Sequence, residues 1–135
     1  MTDPRPGASR LLHGALTVSS EARAERVFVE LFGLSLVKVF EVGPELCAAL
    51  FGFAGEARAR VYAAGEASVE VFVCPGAPAI GRRFEHLCFE LADLEDVSAR
   101  AIALGMEVRR FHKGDKEVVF VRDEDGNLYE LKEPA

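Results

Sequence analysis

What the sequence lacks narrows the possibilities first. No stretch of the 135 residues approaches the roughly 20 uninterrupted apolar residues of a membrane-spanning helix. The opening "MTDPRPGASR" lacks the apolar run that a secretion signal needs. No membrane partner is expected, and a cytoplasmic address follows by default. Cysteine is scarce: Cys47, Cys74 and Cys88 stand alone with no CxxC spacing, so neither a disulfide framework nor a zinc knuckle is indicated. They read as reduced thiols, Cys47 and Cys74 as core residues and Cys88 as a small buried filler or cavity lining. Positive charge is short, with 16 Lys and Arg against 22 Asp and Glu, a net charge of -6 and a pI near 5.1. That balance argues against a nucleic-acid partner, whose binding rests on phosphate neutralisation.

What is present is a core. Half of the residues are hydrophobic, ample for one compact domain or for two small halves that share a core. Leu11 to Val18 is strand-like, Ser19 or Ser20 caps a helix "EARAERVFVELF", and Gly33 stops it. A strand "LSLVKVFEV" follows. Pro44 opens a short helix "PELCAALFGF", because proline suits a first helical position, and Gly55 closes the segment. "ARVYAA", a turn at Gly65 and "SVEVFVC" form a hairpin. Past the linker "PGAPAIGRR" the order recurs: strand "FEHLCFELA", a helix capped by Asp93 and ended by Gly105, then strands "MEVRRF", "EVVFV" and "NLYELK".

The chain therefore reads as βαβββ twice, an α+β domain over residues 1–135 made of a module at 10–75 and a module at 83–133. Spacing supports the repeat. His13 to Gly33 is 20 residues, and His86 to Gly105 is 19. Gly33 to Glu70 is 37 residues against 25 from Gly105 to Glu130, and the surplus of 12 matches the Pro44–Gly55 insertion. In this alignment His13 pairs with His86, and Glu70 in "SVEVFV" pairs with Glu130 in "LYELKE".

Strand parity adds a second constraint. Leu12, Leu16 and Val18, then Val69, Val71 and Val73, then Leu87, Phe89 and Leu91, then Tyr129 and Leu131 share the face on which helices would pack. His13, Glu70, His86 and Glu130 all take the opposite face. A single histidine in a strand is ordinarily a structural residue, and a single glutamate in a terminal strand is ordinarily solvated. Four such residues at repeat-equivalent places on one parity point instead to a metal site, for which imidazoles and carboxylates form a mixed N/O set suited to Zn, Ni, Co, Mn or Fe. His112 has no repeat partner and reads as surface or pocket lining. Arg82, Arg83, Arg109, Arg110 and Lys113 make either a solvated charge face or an anion-binding rim. Leu46, Leu50, Phe51 and Phe53 in the insertion read either as core packing or as the wall of a substrate pocket.

The segments "LLHGALTVSS", "LFGLSLVKV", "SVEVFV", "EHLCFELADLEDV" and "FVRDEDGNLYELKE" resemble the glyoxalase I and vicinal-oxygen-chelate superfamily, over roughly Arg10 to Glu133. The resemblance implies paired βαβββ modules whose sheets curl around one divalent metal ion (Zn, Ni, Co or Mn, with Fe less expected), ligated by His13, Glu70, His86 and Glu130. It implies a metal-dependent lyase or isomerase of glyoxalase type, acting on a small-molecule substrate with vicinal oxygens through an enediolate, with Glu130 or Glu70 as the base. Lactoylglutathione lyase-like and acyl-CoA epimerase-like chemistry both fit. An extradiol-type dioxygenase and a non-catalytic, bleomycin-resistance-like binding protein are the alternatives. No arginine matches a glutathione carboxylate contact, and Cys74 falls where a polar residue helping to hold glutathione is expected. A homodimer is implied as well, in some relatives with His and Glu contributed by different subunits.

Overall fold

A computed structural model describes residues 7, 9–76 and 84–135 of the chain. Two four-stranded mixed sheets form, neither closed into a barrel. The first holds β1 (His13–Val18), β2 (Ser35–Val42), β3 (Ala57–Ala64) and β4 (Ala67–Val73), and the second holds β5 (His86–Glu90), β6 (Glu107–Lys113), β7 (Lys116–Arg122) and β8 (Leu128–Lys132). Their orders, β1-β4-β3-β2 and β5-β8-β7-β6, are the same arrangement twice. In each sheet the first strand runs parallel to the last, and the remaining pairs are antiparallel. The expected α+β fold of repeated βαβββ units is thus the observed one.

The helices follow their local signals, with two differences. α1 (Glu21–Glu25) starts at Ser20, whose hydroxyl accepts a hydrogen bond from the Arg23 amide. It then widens into a π-helical segment, Arg26–Leu31, where an α-helix through Phe32 was expected. Phe32 N–H reaches back to the Val27 carbonyl and Leu34 N–H to that of Phe28, and the wider turn buries Val27, Phe28 and Leu31 together. α2 (Pro44–Phe51) has proline in its first turn but stops at Gly52, not Gly55. Gly52 has φ +62, the left-handed conformation that glycine supplies without steric cost. α3 (Leu94–Ala103) is capped by the Asp93 side chain, as its sequence indicates.

Both sheets turn their apolar faces into one shared core. Phe28 stacks on Tyr62 of the first sheet at 5.1 Å and meets Tyr129 of the second edge-on at 6.0 Å. Phe32 stacks on Phe89 at 4.1 Å. Such aromatic pairs contribute about 0.5–1.5 kcal/mol each beyond burial. The parity assignment holds for Val18, Val69, Val71, Val73, Tyr129 and Leu131, all buried, while Leu12 lies just before β1 and is exposed. Because both apolar faces turn inward, the faces carrying the two His/Glu pairs turn away from this core. A smaller cluster, Val42, Cys47, Ala57, Ala59 and Cys74, lies on that outer face of the first sheet, under α2. Among the described residues no helix is long and apolar enough to cross a membrane.

The turn Asp123–Asn127 clasps the two halves. Asp123 is buried and accepts from Tyr129 Oη at 2.7 Å and from the amides of Asp125 and Asn127 at 2.9 Å. Asn127 Nδ2 donates to the Thr17 carbonyl at 2.9 Å. Asp125 accepts from Ser19 N–H at 3.1 Å and from Arg23 at 2.9 Å. Desolvation pushes the Asp123 carboxyl up, against the hydrogen bonds that pull it down. The Tyr129 phenol is held well above its ordinary value by burial and then by the Asp123 charge.

Candidate active site

Register explains how four residues from distant parts of the sequence become two pairs. In the parallel β1/β4 ladder Ala15 lies opposite Glu70 and His13 opposite Ser68, so His13 reaches Glu70 along a diagonal. Its Nε2 lies 3.8 Å from Glu70 Oε2. In the β5/β8 ladder Cys88 lies opposite Glu130, and His86 reaches it on the same diagonal, Nε2 to Oε1 at 3.2 Å. Each sheet therefore presents one imidazole and one carboxylate on the face turned away from the shared core. Among the described residues of one chain no three such side chains gather into a metal-holding group. The four sequence-derived candidates come together two by two.

The second pair shows the donor chemistry best. His86 Nδ1 is 2.7 Å from the Phe84 carbonyl. A carbonyl only accepts, so Nδ1 carries a proton, and in the neutral form of the ring the Nε2 lone pair faces Glu130. A lone pair and a carboxylate oxygen at 3.2 Å repel unless a proton or a cation sits between them. A ring oriented through Nδ1 by a backbone carbonyl is the usual support of a metal-binding histidine. The residues present thus fit a divalent metal, with two donors from each pair. Lys132 Nζ lies 3.7 Å from Glu130 Oε2, and Phe120 packs edge-on against His86 at 5.0 Å. Beside them, partial burial and then the charge of Glu130 hold the Cys88 thiol up against ionisation. Cys88 is exposed, not the buried filler considered from sequence, because it stands on the outer face of its strand.

The remaining candidates separate. Arg110 is tied to Glu95 and Glu117 on the opposite face. Arg109 lies opposite Phe120, on the face of Glu130, and pairs with Glu107. Arg82 and Arg83 lie outside the described residues. His112 is exposed beside Glu117 at 3.5 Å. Sequence reasoning did not place Thr17 and Phe72 on the face of the His13/Glu70 pair, although their parity is the same and was the available signal. Nor did it find the clasp, whose partners are more than a hundred residues apart.

The profile of the Glyoxalase/Bleomycin resistance protein/Dioxygenase superfamily matches residues 10–131. The chain belongs to this superfamily. No functionally curated protein matches the sequence. Among solved structures, a glyoxalase family protein from Bacillus cereus superposes with a TM-score of 0.72 at 18% identity, covering 98% of each chain. A mutant of the fosfomycin resistance protein FosX from Listeria monocytogenes, complexed with Mn(II) and a dihydroxypropylphosphonic acid, gives 0.70 at 15% identity, covering 93% of this chain and 90% of that one. The trypanothione-dependent glyoxalase I of Leishmania major gives 0.70 at 17%, covering 93% and 87%. At these identities the likeness is one of fold.

Proposed function

We propose that this superfamily member is a metal-dependent lyase or isomerase of glyoxalase type, working as a homodimer on a small substrate with vicinal oxygens. The observation that carries the reading is the repeated imidazole–carboxylate pair, His13 with Glu70 and His86 with Glu130, on equivalent strands. One pair is half of a four-ligand site. His13 and Glu70 of one copy facing His86 and Glu130 of a second would complete a mixed N/O set suited to Zn, Ni, Co or Mn. Exposed Leu12 beside His13 and exposed Phe84 beside His86 give a second copy apolar surface to cover.

When bound, a divalent ion supplies Lewis-acid stabilisation of charge developing on the substrate oxygens. The remaining work falls to the chain's own side chains. The Phe84 carbonyl keeps the His86 ring in its tautomer and orientation. Glu130, with Lys132 Nζ 3.7 Å from its Oε2, stays in place. Glu70 makes the looser contact with its histidine, 3.8 Å against 3.2 Å. We assign it the proton transfer: its carboxylate takes the proton from the substrate α-carbon and returns it to the neighbouring carbon, which isomerises the substrate, or to the opposite face of the same carbon, which epimerises it. The enediolate between these two steps collapses to an isomerised or epimerised acid or thioester.

Elemental analysis of the purified protein, then assays of the metal-reconstituted form with methylglyoxal plus thiols and with acyl-CoA epimers, tests the reading. One divalent ion per chain in a dimer, with turnover, is the expected result. O2 consumption with Fe(II) would turn the assignment toward an oxygenase. Failure to bind any divalent metal, or a monomeric mass by light scattering at micromolar concentration, would overturn it.

A further inference from the structure

The outer face of the first sheet carries more than the His13/Glu70 pair. Thr17 lies opposite Phe72 in the same ladder that sets Ala15 opposite Glu70, so both point to the side of His13 and Glu70. At about 3.3 Å per residue Phe72 stands roughly 7 Å from Glu70 along β4, and Cys74 about twice as far. α2 roofs this end of the face and leaves the His13 end uncovered. Between roof and sheet lies a cavity of about 300 Å3, lined by Thr17, Cys47, Phe51, Phe53, Phe72 and Cys74. On the β3 side its wall is the small residue Ala57.

We infer that this cavity is the subsite for an apolar substituent, phenylalkyl or medium-length alkyl, on a substrate whose vicinal oxygens meet the His/Glu set; the inference rests on the function proposed above. Size fits: a dry apolar cavity of about 150 Å3 takes a benzene ring, and this one is twice as large. Polarity fits as well. Among the described residues no lysine or arginine lines the cavity, and its described walls offer no counter-charge for a glutathione carboxylate or a phosphonate. Cys47 is occupied, its Sγ donating to the Val42 carbonyl at 3.5 Å. Desolvation, then proximity to Cys47, pushes the Cys74 thiol up, which keeps the wall neutral. Access is open, because the Phe51 ring leans over Phe72 at 5.3 Å yet remains 57% exposed. Among the described lining residues Thr17 alone has a side-chain oxygen to orient the entering group, and Asn127 fixes its strand through the Thr17 carbonyl.

Two measurements separate this inference from the function on which it rests. In metal-free protein, toluene should shift the NMR signals of Thr17, Ala57 and Phe72, and Thr17→Leu, which fills the cavity, should abolish those shifts. Absence of the shifts in the unsubstituted protein, or their survival in Thr17→Leu, would overturn the subsite whatever the metal does. In Mn(II)-loaded protein, 3-phenyllactate should bind ten- to a hundredfold tighter than lactate, the ratio expected from burying one aromatic group. Phe51→Ala, a change at an exposed wall that leaves the fold intact, should cut that ratio severalfold. Equal affinity for the two acids would overturn the subsite. Toluene binding in a protein that takes up no metal would leave the subsite standing and remove the enzymatic reading instead.

Discussion

Removing one oxygen atom, in Tyr129→Phe, tests the clasp most directly. The ring would stay where it is, because Phe28, Phe32 and Phe89 surround it and the site is fully buried. Only the 2.7 Å donation to Asp123 Oδ2 would go, leaving that oxygen with Asn127 Nδ2 at 3.2 Å. A hydrogen bond to a charged group contributes about 1.5–3 kcal/mol, so the variant should lose that much stability. For a chain of this size the loss corresponds to a Tm lower by on the order of 5–12 °C. Its pH dependence has a definite shape. Both folded pKa values are raised, so each bound proton favours the native state, and that contribution fades as pH climbs through the folded value. Once the pH falls below the raised Asp123 value the carboxyl is protonated and needs the phenol less, and only above the much higher folded value of Tyr129 does ionisation of the phenol remove the same contribution from the unsubstituted protein. The stability difference between the two proteins should therefore be widest between these limits and narrow on either side. Urea denaturation at several pH values measures it, with the slope m unchanged. A variant as stable as its parent at neutral pH, or a difference independent of pH, would refute the reasoning.

Other variants test other parts of the account. Ser98→Ala should be neutral or stabilising by up to about 1 kcal/mol, because the Ser98 hydroxyl is buried in α3 without a partner among the described residues and alanine is the better helix former; thermal denaturation decides it, and a clear loss would mean that the hydroxyl has a partner. Asn127→Ala should cost about 2–3 kcal/mol by orphaning the Thr17 carbonyl and loosening Asp123, and an unchanged denaturation midpoint would refute the clasp from its other end. His13→Ala and His86→Ala should each keep the circular dichroism of the fold while losing metal stoichiometry, with affinity falling by more than the roughly 10–100-fold that loss of a supporting partner costs; full stoichiometry in both would dismiss the proposed metal set.

How legible the fold was depended on the range of the interactions involved. Strand parity and capping are local, so β1, the Ser20 and Asp93 caps and the repeated βαβββ order were readable from neighbours a few residues apart. The π-helical turn at Arg26–Leu31 was not, because it answers to Phe32 reaching Phe89 across the shared core. The helix end at Gly52 was misplaced by three residues, since two glycines stand close together and only backbone conformation tells which one caps. His13, Glu70, His86 and Glu130 were nameable from repeat position. Their arrangement as two pairs on outward faces was not, because periodicity gives the side of a strand without saying what faces it. The basic residues show the same limit: adjacent Arg109 and Arg110 look alike in sequence, yet alternation sends one to the site face and the other to Glu95 and Glu117.

The turn at Asp123–Asn127 also bears on the order in which the molecule can assemble. Its contacts to Thr17, Ser19 and Arg23 span 110, 106 and 102 residues of chain. As synthesis proceeds, the first βαβββ unit leaves the ribosome with a carbonyl and an amide at the end of its leading strand that only the closing turn of the second unit will satisfy. Phe28 and Phe32 likewise wait for Tyr129 and Phe89. Contacts of such long range slow folding, since loop closure must precede the interactions that reward it. They also bind the two repeats into a single cooperative transition: neither repeat is a finished folding unit, and a chain built by visible duplication should melt as one body.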